Sequence, residues 1–96
     1  MATFSLNTTI KISAAISVTG ANPSYSVPAN SYAVVNCYSP SSGFQATIGG
    51  GTVVLAQSTA ANQHFDSLYI GPGQTVQLTG AAAGSSITGV EFINSP

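Results

Sequence analysis

Along residues 9–19 apolar and polar side chains alternate. Ile10, Ile12, Ala14, Ile16 and Val18 share one parity, and Lys11, Ser13, Ala15 and Ser17 share the other. A repeat of two is that of an extended strand, whose side chains point to opposite faces in turn. The pattern predicts a half-buried strand with the first set turned toward a core or a subunit interface. Gly20, Ala21, Asn22 and Pro23 break it. A short strand over residues 24–27 is stopped by Pro28. Residues 31–38 carry apolar side chains on both parities (Tyr32, Val34, Val35, Cys37, Tyr38), which predicts a central strand or one buried in an interface.

The second half repeats the style. Residues 39–43 read as a loop, and Phe44, Ala46 and Ile48 alternate again. Gly49-Gly50-Gly51 signals a hairpin returning through residues 52–57. Residues 58–63 are the most open stretch. Strands are expected over 65–70, ended by Gly71-Pro72-Gly73, then over 75–79 and, after the small-residue loop 80–84, over 86–93. Helix-forming composition is nearly absent, with one Lys, one Glu, no Arg and Met only at position 1. About eight short strands between frequent turns predict an all-β antiparallel sandwich. One internal echo bears on its topology. Tyr25-x-x-Pro28-small-Asn30-Ser31 resembles Tyr69-x-x-Pro72-small-Gln74-Thr75. Read as equivalent corners in two halves, it favours a jelly-roll-like or Greek-key arrangement; read as a common hairpin corner, it says nothing of topology.

The 96 residues suit one domain over 1–96, with residues 1–8 as a candidate extended N-terminal arm. A domain this small buries a modest share of its surface, so help from neighbouring subunits is expected. Charge changes the picture most: 3% of the residues are charged, against about a quarter in ordinary soluble domains. The charged side chains are Lys11, Asp66 and Glu91. Without a basic patch, nucleic-acid binding by phosphate neutralisation is not expected. No apolar run reaches the length of a membrane-spanning helix, and the N-terminus does not read as a signal peptide. So little charge opposes self-association weakly and fits a surface covered by partners, or one kept wet by Ser, Thr, Asn and Gln.

Candidate chemistry is sparse. His64 and Asp66 lie two apart at the mouth of a strand, and a nearby serine would complete a drawn triad, but no Gly-x-Ser-x-Gly elbow is present. They read as polar groups at a loop edge. His64, Asp66, Glu91 and Cys37 lack metal-ligand spacing, so no metal and no cofactor is expected, although one His per chain supplies three about a three-fold axis. Cys37 cannot close a disulfide within the chain and reads as a buried, unreactive thiol. Tyr25, Tyr32, Tyr38 and Tyr69 read as corner tyrosines or as an aromatic platform for a sugar or protein. Asn7-Thr8-Thr9 matches the glycosylation pattern.

The phrases Val27-Pro28-Ala29-Asn30-Ser31-Tyr32-Ala33-Val34-Val35, Leu68-Tyr69-Ile70-Gly71-Pro72-Gly73-Gln74-Thr75-Val76 and Ile87-Thr88-Gly89-Val90-Glu91-Phe92 resemble small β-sandwich virion-surface proteins of tailed bacteriophages, both capsid decoration (cement) proteins and tail-fibre tip domains. The resemblance is one of style across most of the chain and carries over no functional residue. It implies a non-enzymatic structural protein on the virion surface, a homotrimer contacting the major capsid protein or another virion protein, without nucleic acid or membrane. The start methionine and short length favour a complete decoration protein. The alternative is a receptor-binding fibre tip or a carbohydrate-binding module that takes a host glycan. Subunit or lattice contacts are expected at Tyr32, Val34, Tyr38, Ile12 and Ile16.

Overall fold

The computed structural model describes residues 9–95; the candidate arm 1–8, with Asn7, and the side chain of Ile10 lie outside the described residues. The strands are β1 (Thr9–Thr19), β2 (Ser24–Ser26), β3 (Tyr32–Ser39), β4 (Phe44–Ile48), β5 (Val53–Ser58), β6 (Gln63–Ile70), β7 (Thr75–Thr79) and β8 (Ser86–Ser95). Turn residues mark every boundary within two residues of the expectation, and β6, beginning at Gln63, takes up the end of the open stretch. The strands form two four-stranded sheets, ordered β1-β8-β3-β6 and β2-β7-β4-β5, with antiparallel neighbours throughout. Every connection but the β4–β5 hairpin passes from one sheet to the other. That winding is the eight-stranded jelly roll, an all-β sandwich as the sequence predicts.

The Tyr-x-x-Pro echo marks two of these crossings, β2 to β3 and β6 to β7, and the corners lie side by side. The Val27 amide donates to the Gln74 carbonyl (2.8 Å) and the Gly73 amide to the Val27 carbonyl (3.1 Å). Their turns differ. Ser31 N–H closes on the Pro28 carbonyl, so Pro28 opens its turn. Gln74 N–H closes on the Gly71 carbonyl, which puts Pro72 second and Gly73 third. A third residue at φ 74° is what a type II turn requires, and glycine takes that conformation without strain. The echo therefore marks a shared place in the fold rather than one repeated turn.

The inner faces close on each other. Ile16, Ala33, Val35, Cys37, Ile70 and Ile87 come from the first sheet; Phe44, Ala46, Val76 and Leu78 come from the second; Val27 and Ala81 plug the corners. Phe44 of β4 stacks on Phe65 of β6 with ring centroids 4.7 Å apart, joining the sheets through two aromatic rings. As the pattern of residues 31–38 predicts, β3 is a central strand, flanked by β8 and β6.

One register expectation is overturned. Ile12 pairs with Phe92 but Ala14 pairs with Glu91, so Ser13 is an extra residue, a β-bulge. The bulge inverts the alternation. Ala14, Ile16 and Val18 turn inward as expected, whereas Ile12 sits 72% exposed on the outer face beside Phe92. Ile16, expected as a contact residue, is instead 3% exposed in the core and presents nothing to a partner.

Candidate interaction surface

The outer face of the β1-β8-β3-β6 sheet is assembled by cross-strand register. Its first row is Ile12, Phe92 and Tyr32; its second is Ala15, Val90, Val34 and Tyr69. These side chains form an apolar half-face. Tyr32 stacks on Phe92 (centroids 5.7 Å, planes 18° apart), and Tyr69 is 77% exposed. The next rows turn polar, with Ser17, Thr88 and Asn36, then Thr19, Ser86, Tyr38 and His64. Three of the expected contact residues, Ile12, Tyr32 and Val34, thus meet on one apolar patch. Tyr38 lies on the same face in its polar half.

The opposite outer face has another chemistry. Thr79, Gln45 and Gln57 form one row tied by side chains: Gln45 Nε2 donates to Gln57 Oε1 (3.1 Å) and Thr79 Oγ1 to Gln45 Oε1 (3.4 Å). Ser26 and Thr75 pair through their hydroxyls at 2.8 Å. Val53 and Val54 on β5 are the exposed large apolar residues on this sheet, among the described residues. A cleft of about 360 Å³ opens beside Gln45, Gln57, Ser58, Thr59 and Thr79. Phe44 at its floor is 1% exposed and offers no ring face for a sugar to stack on.

All four sheet edges are blunted. On β5, Val54 pairs with Thr47 and Ala56 with Ala46, leaving Leu55 as a bulge. On β6, Asp66 and Ser67 together face Asn36, between the Leu68–Val35 and Phe65–Cys37 pairs. Ser67 sits at φ 57°, held there by its N–H donating to Asn36 Oδ1 (2.9 Å). With the Ser13 bulge on β1 and a β2 of three residues, each edge departs from a regular strand, which discourages addition of a foreign strand.

The groups singled out for chemistry scatter. His64 points outward and lies against the Tyr38 ring (4.8 Å between centroids), and Tyr38 donates to Asn62 Oδ1 (3.0 Å). Asp66 is exposed in its bulge. A shallow hollow of about 260 Å³ is lined by Asn36, Tyr38, His64, Ser86 and Thr88. Among the described residues no three of His, Cys, Asp and Glu cluster as metal ligands would. Cys37 is fully buried, and burial pushes its thiol up to about 11, so it is protonated at neutral pH. The tyrosines divide: Tyr38 is tied to a corner, Tyr25 points inward, and Tyr32 and Tyr69 flank Val34 on the apolar face.

Sequence reasoning missed the burial of Glu91 and the close backbone approach at Gly89. Glu91 is 8% exposed, its carboxylate taking the Tyr25 hydroxyl on Oε2 and Ser13 Oγ at 3.1 Å on Oε1. Its parity with Ile87 was the available signal. Gly89 pairs with Val35 where β8 runs beside β3, and a Cβ there would stand 2.1 Å from the Val34 carbonyl oxygen. Compared with protein-family models, curated proteins and solved structures, the chain finds no match.

Proposed function

We propose that the chain is a non-enzymatic structural subunit of a bacteriophage virion, most concretely a decoration protein held on the capsid surface by the major capsid protein or another virion protein. The jelly roll itself is shared by capsid, lectin and cupin domains and does not choose among them. The carrying observation is the contrast between the two outer faces. One bears a neutral apolar half-face that water alone would solvate poorly; the other bears an amide and hydroxyl row suited to water. A subunit with one covered and one wet face is what assembly on a particle requires. The virion assignment is supported by the residue phrases quoted above.

The second reading, a receptor-binding fibre tip, draws on the hollow beside Tyr38, His64 and Asn36, where an aromatic ring adjoins amide and hydroxyl groups. Mixing the purified chain with particles that lack it separates the two. Saturable binding in step with the number of capsid lattice sites, weakly dependent on salt because little charge is present, is the expected result. Failure to bind particles together with binding to host-cell glycans would replace decoration by the fibre tip.

A further inference from the structure

We infer that the first five residues of β1 have two registers on β8 and that the charge of Glu91 selects between them, the bulged one while the carboxylate is ionised and a regular one once it is neutral. The sequence points to the second register. Its alternation of apolar and polar residues runs through Ser13 without a break, and a strand without a bulge would satisfy all of it. Ala14 pairs with Glu91 and Ala15 with Val90. Carried on without the extra residue, that pairing sets Ser13 against Phe92, Ile12 against Ile93 and Lys11 against Asn94. Phe92 lies on the outer face, so Ser13 turns out to water and Ile12 turns in beside Ile93. The regular register thus makes an apolar cross-strand pair of a side chain that the bulge leaves 72% exposed.

The bulged register gains a hydroxyl on a buried charge. Ser13 Oγ donates to Glu91 Oε1 at 3.1 Å, and the regular register removes that donor, leaving the Tyr25 hydroxyl on Oε2. A carboxylate away from water needs its donors most while it is ionised, so the Ser13 bond weighs most then. The groups around Glu91 leave the titration to Glu91 itself. Tyr25 faces it from β2, with a hydroxyl pushed up to about 12 that stays neutral. Ala33 opposes it on β3. On β1, Lys11 shares its parity two rows away and is exposed. Sliding residues 9–13 disturbs a single ladder, because β1 is an edge strand paired with β8 alone. The register decides whether Ile12 stands in the first row of the outer apolar half-face, so the charge of one buried side chain sets how much apolar surface this sheet shows. The switch belongs to the chain alone and stands or falls separately from the virion assignment.

The test is NMR of the isotope-labelled full chain, which reads register from contacts between backbone protons of opposed residues. At pH 7 the parent should pair Ile12 with Phe92. At pH 3, and at pH 7 in Glu91→Gln, contacts of Ser13 with Phe92 and of Ile12 with Ile93 should grow at least about fivefold, since a hydrogen bond to a charged group is worth about twice a neutral one. Glu91→Gln carries its neutral side chain at pH 7, so it decides the matter even where acid unfolds the chain. Ser13→Ala removes the hydroxyl and keeps the charge; it should shift the register at pH 7 and respond little to acid. Lys11→Gln should keep the acid response of the parent. An Ile12–Phe92 pairing unchanged in Glu91→Gln or in Ser13→Ala, or an acid shift of register that persists in Glu91→Gln, would overturn the inference.

Discussion

Tyr25 of β2 donates its phenolic hydrogen to Oε2 of Glu91 on β8, tying one sheet of the jelly roll to the other. Ser13, displaced by its bulge, supplies a second hydroxyl to the same carboxylate. A buried carboxylate is tolerated only where donors replace its water, so bulge and tyrosine together make Glu91 compatible with the interior. Tyr25→Phe removes one donor and leaves the acceptor buried. A loss of about 1–3 kcal/mol is expected in urea unfolding, with Glu91→Gln costing less because the amide oxygen still accepts from one hydroxyl and no charge is left buried. Equal stability of Tyr25→Phe and parent would show the tie to be idle.

The same contact predicts an alkaline limb. Its hydrogen bond to Glu91 first, then burial and the carboxylate's charge, push the Tyr25 hydroxyl from 10.0 up to about 12. A folded value above the unfolded one means that the folded state holds the proton longer. The stabilisation is therefore complete below about pH 10 and disappears as pH rises toward 12. Melting temperatures measured from pH 9 to 12 should fall less steeply in Tyr25→Phe than in the parent. Parallel curves would assign the limb to other groups.

The Ser13 bulge separates two isoleucines four residues apart. Ile16→Asp should destabilise the protomer by several kcal/mol, since it buries a charge in the core. Ile12→Asp should change protomer stability by no more than about 0.5 kcal/mol, because its side chain is already in water. Urea denaturation measures both; similar losses for the two would place Ile12 in the core and remove the bulge.

Gly89 is expected to accept no side chain. A Cβ would stand 2.1 Å from the Val34 carbonyl oxygen and 2.9 Å from Val35 Cα, both backbone atoms of a central strand, and φ at 155° is disfavoured for other residues. Gly89→Ala should cost about 3 kcal/mol or more, read as a large fall in melting temperature or loss of soluble protein. Gly50→Ala makes the comparison, since its Cβ meets nothing within 4 Å and any loss there comes from backbone conformation alone.

Cys37 should stay inert toward an aromatic disulfide reagent at pH 7 to 8 while the chain is folded, and react fully once it is unfolded in guanidinium. It is buried and its thiol is pushed up to about 11, so little thiolate forms and little reagent reaches it. Rapid labelling of the native protein would contradict this. Cys37→Ala should retain the fold with a loss of about 1–2 kcal/mol for the space left behind.

Local chemistry determined much of this protein in advance. Gly, Pro and small polar clusters place eight strands because they end extended runs whatever lies beyond them. The two parities of residues 31–38 mark β3 as central because a strand covered on both sides needs apolar residues on both. Only the tertiary structure decided what depends on partners distant in sequence. The alternation of residues 9–19 continues unbroken through Ser13, yet the face it assigns to Ile12 is inverted, because Ser13 reaches Glu91, 78 positions away, and the extra residue shifts the register. Tyr32, Val34 and Tyr69 become one surface only when β3 pairs with β6, and Ile12 joins them only through β8. Periodicity reports which side chains share a face of one strand; which faces meet, and which are left for a partner, is set by pairing between strands that the chain brings together only on folding.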